Sequence, residues 1–161
     1  MNIRNAYSKV LGIELKMSEQ YVKDLSFENP RHVLPTEIMS QPKFNVSLDV
    51  NANILNSSAK FEVVIGVSIT AFIEDVTLFI SELKYAGIAS FSLSGLDELE
   101  RDLMIFARCP SILFPYMRRI VSDITRDGGY PPLLLAPVDF LALYMQKKEI
   151  DAEEQAPHKL M

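Results

Sequence analysis

The sequence is poor in the residue types that most often carry catalysis or bind metal. It has one cysteine, Cys109, and two histidines, His32 and His158, in 161 residues. A single cysteine excludes an intrachain disulfide and a Cys-rich zinc site. Two distant histidines leave little for a His-based metal site or a catalytic triad. Cys109 has neither histidine near it in sequence, and a free cysteine is commonly a small buried hydrophobe, so it reads as core. Phosphate loop, GxGxxG and GxSxG are all missing. No apolar run approaches the ~20 residues of a membrane-spanning helix. The first sixteen residues contain Arg4, Lys9, Glu14 and Lys16 and no continuous apolar stretch, which argues against a signal peptide. Basic charge is short as well: 16 Lys and Arg against 21 Asp and Glu give −5 and a pI near 5.1. That balance disfavours a general nucleic-acid binder, whose affinity rests on cations meeting phosphates. All of this is compatible with a reducing cytosol.

What is present suits one compact domain with its own core, since 48% of the residues are hydrophobic and 23% charged. A first strand is expected over Tyr21–Glu28, with Tyr21, Leu25 and Phe27 on one face, where Lys23 breaks the rule, and Val22, Asp24, Ser26 and Glu28 on the other. Residues 29–42 hold three prolines and no period, and read as an irregular loop. The clearest alternation runs from Phe44 through Val46, Leu48, Val50 and Ala52 to Ile54, interleaved with Asn45, Ser47, Asp49, Asn51 and Asn53. A turn at Asn56–Ser58 leads to a third alternating segment, Phe61–Ile73. Glu74 and Asp75 turn the chain into a fourth strand, Val76–Leu93, in which Ala86 and Gly87 suggest a bulge. Consecutive strands joined by short turns favour an antiparallel sheet.

The remainder is expected to be helical. Leu96, Leu99, Leu103 and Phe106 share one helix face, with Ser94 as the expected N-cap. Pro110 should kink or end that helix, and Pro115 can open a second run carrying Met117, Ile120, Val121 and Ile124 up to Gly128 and Gly129. Arg118 and Arg119 read as the wet face of that run. A last helix is expected from Val138 to about Lys148, apolar almost all round, which calls for a partner or ligand. Asp97, Glu98, Glu100 and Asp102 read as a solvated helix start, where the helix dipole favours negative charge. Asp24 and Glu28 need more explanation, because acidic residues are poor strand formers. Edge protection against aggregation is one account, and a contact surface for a basic partner is the other. Residues 74–102 carry a net −5, so the rest of the chain is balanced.

Four blocks, in order, make the sequence familiar. Residues 21–30, Tyr-Val-Lys-Asp-Leu-Ser-Phe-Glu-Asn-Pro, resemble the opening strand of the SecB family of protein-export chaperones. Lys84-Tyr-Ala-Gly-Ile88 is similar to that family's fourth strand, and Cys-Pro-Ser-Ile-Leu-Phe-Pro-Tyr, 109–116, to its signature at the break in the long helix. Residues 135–145, Leu-Ala-Pro-Val-Asp-Phe-Leu-Ala-Leu-Tyr-Met, resemble its last helix. The resemblance implies an α+β fold: a four-stranded antiparallel sheet with a kinked long helix and a C-terminal helix packed on one side. It implies an extension over residues 1–18, which is a short helix, a frayed segment or the product of a misassigned start at Met17. The chaperone domain would span 19–148 and a mobile polar tail 149–161.

The same resemblance implies an ATP-independent cytoplasmic holdase, a homotetramer built as a dimer of dimers. It would bind unfolded precursor proteins and pass them to the SecA motor ATPase, with no catalytic site, cofactor or metal, no nucleic-acid partner and no insertion into the membrane. Carried across residue by residue, the client groove falls on Phe44, Val46, Leu48 and Tyr144, with the proline loop as a wall. The SecA contact falls on Asp24, Glu28, Ile80 and Glu82. Ser40 stands where relatives often carry a tryptophan, with Ile38 and Met39 nearby as substitutes. Two other functions stay open at this point: a chaperone of the same fold serving a toxin–antitoxin pair, and an enzyme with an unrecognised site.

Overall fold

The computed structural model describes residues 2–30, 41–56 and 59–155. Most of the proline loop, with His32, Ile38, Met39 and Ser40, lies outside the described residues, as do Ser57, Ser58 and His158. The element order is α1 (Ile3–Leu11), β1 (Lys16–Glu28), β2 (Lys43–Asn56), β3 (Lys60–Ile73), β4 (Val76–Ser90), α2 (Glu98–Leu103), a π-helical turn (Met104–Arg108), α3 (Cys109–Asp127) and α4 (Phe140–Gln155). The four strands form one antiparallel sheet in the order β1-β4-β3-β2, as the alternation and the resemblance imply.

One face of the sheet carries the core. Val63, Ile65, Val67, Ile69 and Ala71 of β3 and Phe79, Leu83 and Tyr85 of β4 are buried there against Leu103, Leu113, Met117, Val121 and Phe140 of the helices. The strict period of β3 explains this: every second residue is a β-branched or small apolar group on one side of the pleat. The opposite, outer face holds Asn45, Ser47, Asp49, Asn51 and Asn53 of β2 paired with Thr70, Ser68, Gly66, Val64 and Glu62 of β3. Polar groups on this side keep it wet.

Two irregularities of pairing lie on β1, between Met17 and Glu19 and between Val22 and Asp24. Residues 86–87 of β4, by contrast, pair without interruption on both sides, so the bulge expected there sits on the neighbouring strand. Gly87 has a different reason: a Cβ at that position would lie 2.6 Å from the Met17 sulfur and 2.7 Å from Leu113 Cδ2. The bulge at Lys23 also corrects the faces of β1. Tyr21 pairs with Ala86 and shares the outer side with Asp24, which pairs with Lys84, while Val22 pairs with Tyr85 on the helix side.

The N-cap of α2 is Asp97 rather than Ser94. The Asp97 carboxylate accepts the Glu100 N–H at 2.8 Å and the Glu100 carboxylate accepts the Asp97 N–H at 3.1 Å, a reciprocal capping box. Helix then runs unbroken from Glu98 to Asp127. The π turn at Met104–Arg108 comes immediately before Cys109-Pro110, where the proline ring would otherwise crowd the preceding carbonyl. Pro115 lies inside α3 and opens nothing. The chain turns at Gly128 and Gly129, the latter at φ +90°. Arg118 is no plain wet-face residue: its Nε donates to the Leu135 carbonyl at 2.6 Å and ties down the extended segment before α4.

At the N-terminus, α1 packs Ala6 and Val10 fully into the core. Lys9 of α1 meets Glu100 at 2.6 Å, and Arg108 donates to the Val10 and Ile13 carbonyls at 2.7 and 2.5 Å. Of the readings open for this segment, a short helix is the conformation observed. α4 begins at Phe140, later than expected, and continues to Gln155, well past Lys148.

Candidate functional site

Two surfaces collect the residues singled out above. The first is an open cleft of about 680 Å³ between the edge strand β2 and α4, floored by α2 and the π turn. Leu48 and Val50 form its β2 side, Asp102 and Phe106 its floor, and Leu143, Tyr144, Lys147 and Ile150 its α4 side. Leu48 and Tyr144 are therefore brought together. Phe44 and Val46 stand on the same side of β2, since they pair with Ala71 and Ile69 as Leu48 pairs with Val67. They remain 43% and 48% exposed. Phe44 and Val50 are six residue steps apart, ~20 Å of strand, so the apolar side of β2 continues from the cleft to Phe44, whose ring lies 6.5 Å from that of Phe79.

Tyr144 is a buried member of the cleft. Its ring stacks on Phe106 at 6.3 Å and lies under the Lys148 ammonium at 5.6 Å. Its hydroxyl donates to Asp102 at 2.9 Å, and Lys148 reaches the same carboxylate at 3.2 Å. Burial, then the hydrogen bond to Asp102, pushes the phenol well above its usual value. Sequence reasoning missed the role of Asp102, which was assigned to a solvated helix start. The available signal was spacing: Asp102 and Phe106 are one helical turn apart, as are Tyr144 and Lys148. Glu100 of the same run is buried and ion-paired, and the Asp-x-x-Glu pattern from Asp97 foretells its turn inward.

The second surface is the outer face of β1 and β4. Across the two strands Asp24 pairs with Lys84, Ser26 with Glu82, and Glu28 with Ile80. Asp24, Glu28, Ile80 and Glu82 thus form one continuous patch, and Leu25 and Phe27 point to the other side. Among the described residues, Asp24, Glu28 and Glu82 join no ion pair. At the far end of this face Glu62 of β3 gathers three donors: the Lys23 ammonium at 2.5 Å, the Tyr21 hydroxyl, and Asn53 at 3.3 Å. The Lys23 and Tyr21 hydrogen bonds lower the Glu62 pKa, and the bond to Glu62 pushes the Tyr21 phenol up to about 12.

Cys109 is fully buried, and burial pushes its thiol up to about 12, far from the thiolate a nucleophile requires. Among the described residues no group of His, Cys, Asp and Glu is arranged to hold a metal, and no helix is long and apolar enough to cross a membrane.

An antiparallel sheet backed by helices, with an open apolar cleft at one sheet edge and a polar, acid-bearing outer face, defines an α+β protein with surfaces for binding rather than a closed catalytic pocket. The sequence model of a family described as "SecB: Preprotein translocase subunit SecB" matches residues 9–151. A protein-export protein SecB of Hyphomonas neptunium is 45% identical over 140 residues, which are 86% of this chain and 81% of that one. The protein of the same name from Parvibaculum lavamentivorans is 40% identical over 147 residues, 89% of this chain and 82% of its own length. Among solved structures, a SecB-like chaperone of Mycobacterium tuberculosis, in complex with a peptide of the HigA1 antitoxin, has the same fold. Its TM-score is 0.69 at 15% identity, over 86% of this chain and 100% of that one. The chain belongs to the SecB family, and its function is that of a protein-export chaperone.

Proposed function

We propose that this chaperone acts as an ATP-independent, cytoplasmic holdase that keeps unfolded secretory precursors competent for translocation and delivers them to SecA. It works without a catalytic site, as a homotetramer arranged as a dimer of dimers. The observation that carries the client half of this reading is the apolar side of β2, open from Phe44 and Val46 into the cleft at Leu48 and Tyr144. Unfolded clients expose apolar side chains, and burial against such a surface is favourable by ~25 cal/mol per Å² removed from water. A long open surface accepts many sequences where a closed pocket would select one. Phe44 and Val46 are about half exposed, so replacing them costs the free chaperone about 1–2 kcal/mol of stability, which leaves the fold standing. Val46→Asp with Phe44→Ser should therefore weaken client binding in fluorescence titration while the fold stays intact by circular dichroism. Unchanged client affinity in the folded double variant would remove β2 from the groove.

The outer patch supports the delivery half. Asp24, Glu28 and Glu82 surround Ile80 and, among the described residues, join no ion pair, an arrangement suited to a basic segment such as the zinc-containing C-terminal tail of SecA. Asp24→Lys with Glu28→Lys turns attraction into like-charge repulsion, which costs several kcal/mol across an interface. Calorimetry against that tail should show binding abolished in the double variant and client binding retained. The wild-type contact should weaken as salt rises, since exposed charges are screened beyond ~10 Å already at 0.1 M. A folded double variant that still binds, or an affinity indifferent to salt, would return the two acids to edge protection. Service to a toxin–antitoxin pair is the weaker reading, because the antitoxin-peptide-bound neighbour is 15% identical and the export proteins 40% and 45%.

A further inference from the structure

The bulge in β1 creates an electrostatic difficulty for the acidic patch. Pairing steps from Val22–Tyr85 directly to Asp24–Lys84 and leaves Lys23 without a partner on β4. In a regular strand neighbouring residues point to opposite faces. Here Lys23 and Asp24 both serve the outer face: Lys23 reaches Glu62, which pairs with Ile88 and Asn53 on that side, and Asp24 lies opposite Lys84. The patch of Asp24, Glu28 and Glu82 already has one ammonium beside it, Lys84. A second free ammonium, adjacent in sequence to Asp24, would offset its charge and repel a basic partner.

Glu62 removes that cation. Its carboxylate is held on the buried outer side of β3, with 9% of the residue exposed, and takes Lys23 at 2.5 Å. The Tyr21 hydroxyl occupies its other oxygen and Asn53 adds a third bond, so the acceptor is fixed on both sides of the bulge. We propose that Glu62 is a positioning residue of the acidic surface: by sequestering Lys23 it leaves Lys84 as the one ammonium beside Asp24 on that face, so that the patch keeps its net negative charge for a basic partner. This rests on the reading of that surface as the SecA contact. The donors around Glu62 lower its pKa, which keeps it ionised and able to hold Lys23 at neutral pH.

Glu62→Gln keeps the shape and removes the counter-charge, releasing Lys23 beside Asp24. In the full chain, calorimetry with the zinc-loaded C-terminal segment of SecA should show affinity about tenfold weaker, the effect of one misplaced charge at a rim. Circular dichroism and mass by light scattering should be unchanged. Adding Lys23→Gln to Glu62→Gln should restore affinity to within about threefold of wild type, a rescue that a loss of sheet structure would not permit. If Glu62→Gln fails to fold, Lys23→Gln alone decides: equal or tighter binding supports the proposal, and a tenfold loss overturns it by making Lys23 a direct contact. Wild-type affinity in Glu62→Gln, or no rescue in the double variant, also overturns it. A wild-type chain that does not bind the segment overturns the SecA reading itself, and this inference with it.

Discussion

Tyr144 is a packed member of the cleft wall as well as a proposed client contact. Its ring is buried between Phe106 and the Lys148 ammonium, and its hydroxyl donates to Asp102. Tyr144→Phe keeps the ring and leaves Asp102 with Lys148, so it should cost about 1 kcal/mol by urea denaturation. Tyr144→Ser removes a buried aromatic and should cost about 3–5 kcal/mol, besides weakening client binding. A serine variant as stable as the wild type would mean that the ring is not packed as described. The Glu62 cluster titrates in two directions. Glu62 is held below its ordinary value of 4.5, so its contribution is present above pH 4.5 and lost as pH falls through the folded value. Tyr21 is raised from 10.0 to about 12, so its contribution is present below pH 10 and lost between about 10 and 12. Unfolding midpoints across pH should show both losses in the wild type. The acid limb should flatten in Glu62→Gln and the alkaline limb in Tyr21→Phe. Unaltered limbs would dismiss the cluster as a stabilising element.

At the scale of elements, β1 is the strand whose reading changed most. Periodicity located β2 and β3 within a residue or two, because their apolar side chains alternate without a break from Phe44 to Ile54 and from Phe61 to Ile73. In β1 the Lys23 bulge reverses the alternation midway, and a one-residue shift moves every side chain across the sheet. Lys23 stands out locally as the charged break in the Tyr21, Leu25 and Phe27 alternation, but the partner that fixes it, Glu62, is on another strand. The family resemblance points to both candidate surfaces, while helical spacing offers a faint signal for Asp102 and none for Glu62, whose role comes from long-range pairing. Gly87 misled for a related reason. Its small size answers a contact with Met17 and Leu113, not a break in its own strand. Gly87→Ala presses on the ends of two side chains that can shift, and overpacking of this kind costs about 1–3 kcal/mol. A lower melting temperature with unchanged far-ultraviolet dichroism is expected, and an unshifted melting point would mean that β1 and α3 stand further from β4.

For the whole molecule, what remains on the surface matters as much as the core. Val22 and Leu25 of β1 and Ile112 and Tyr116 of α3 stay between 36% and 46% exposed on the helix side of the sheet. Apolar side chains gathered on one side of a chain call for a partner surface, and further copies of the chain supply one in the proposed homotetramer. Light scattering should give a mass near four times 18.2 kDa, and a stable monomer at micromolar concentration would contradict it. That assembly would leave the β2 cleft and the acidic outer face to the client and to SecA. Holding unfolded chains is the property on which the proposed delivery depends. It is tested by diluting a denatured secretory precursor into nucleotide-free buffer and following light scattering with and without the protein. The expected result is stoichiometric suppression of aggregation without ATP. Equal aggregation in both samples, or suppression only when nucleotide is added, would contradict the holdase account.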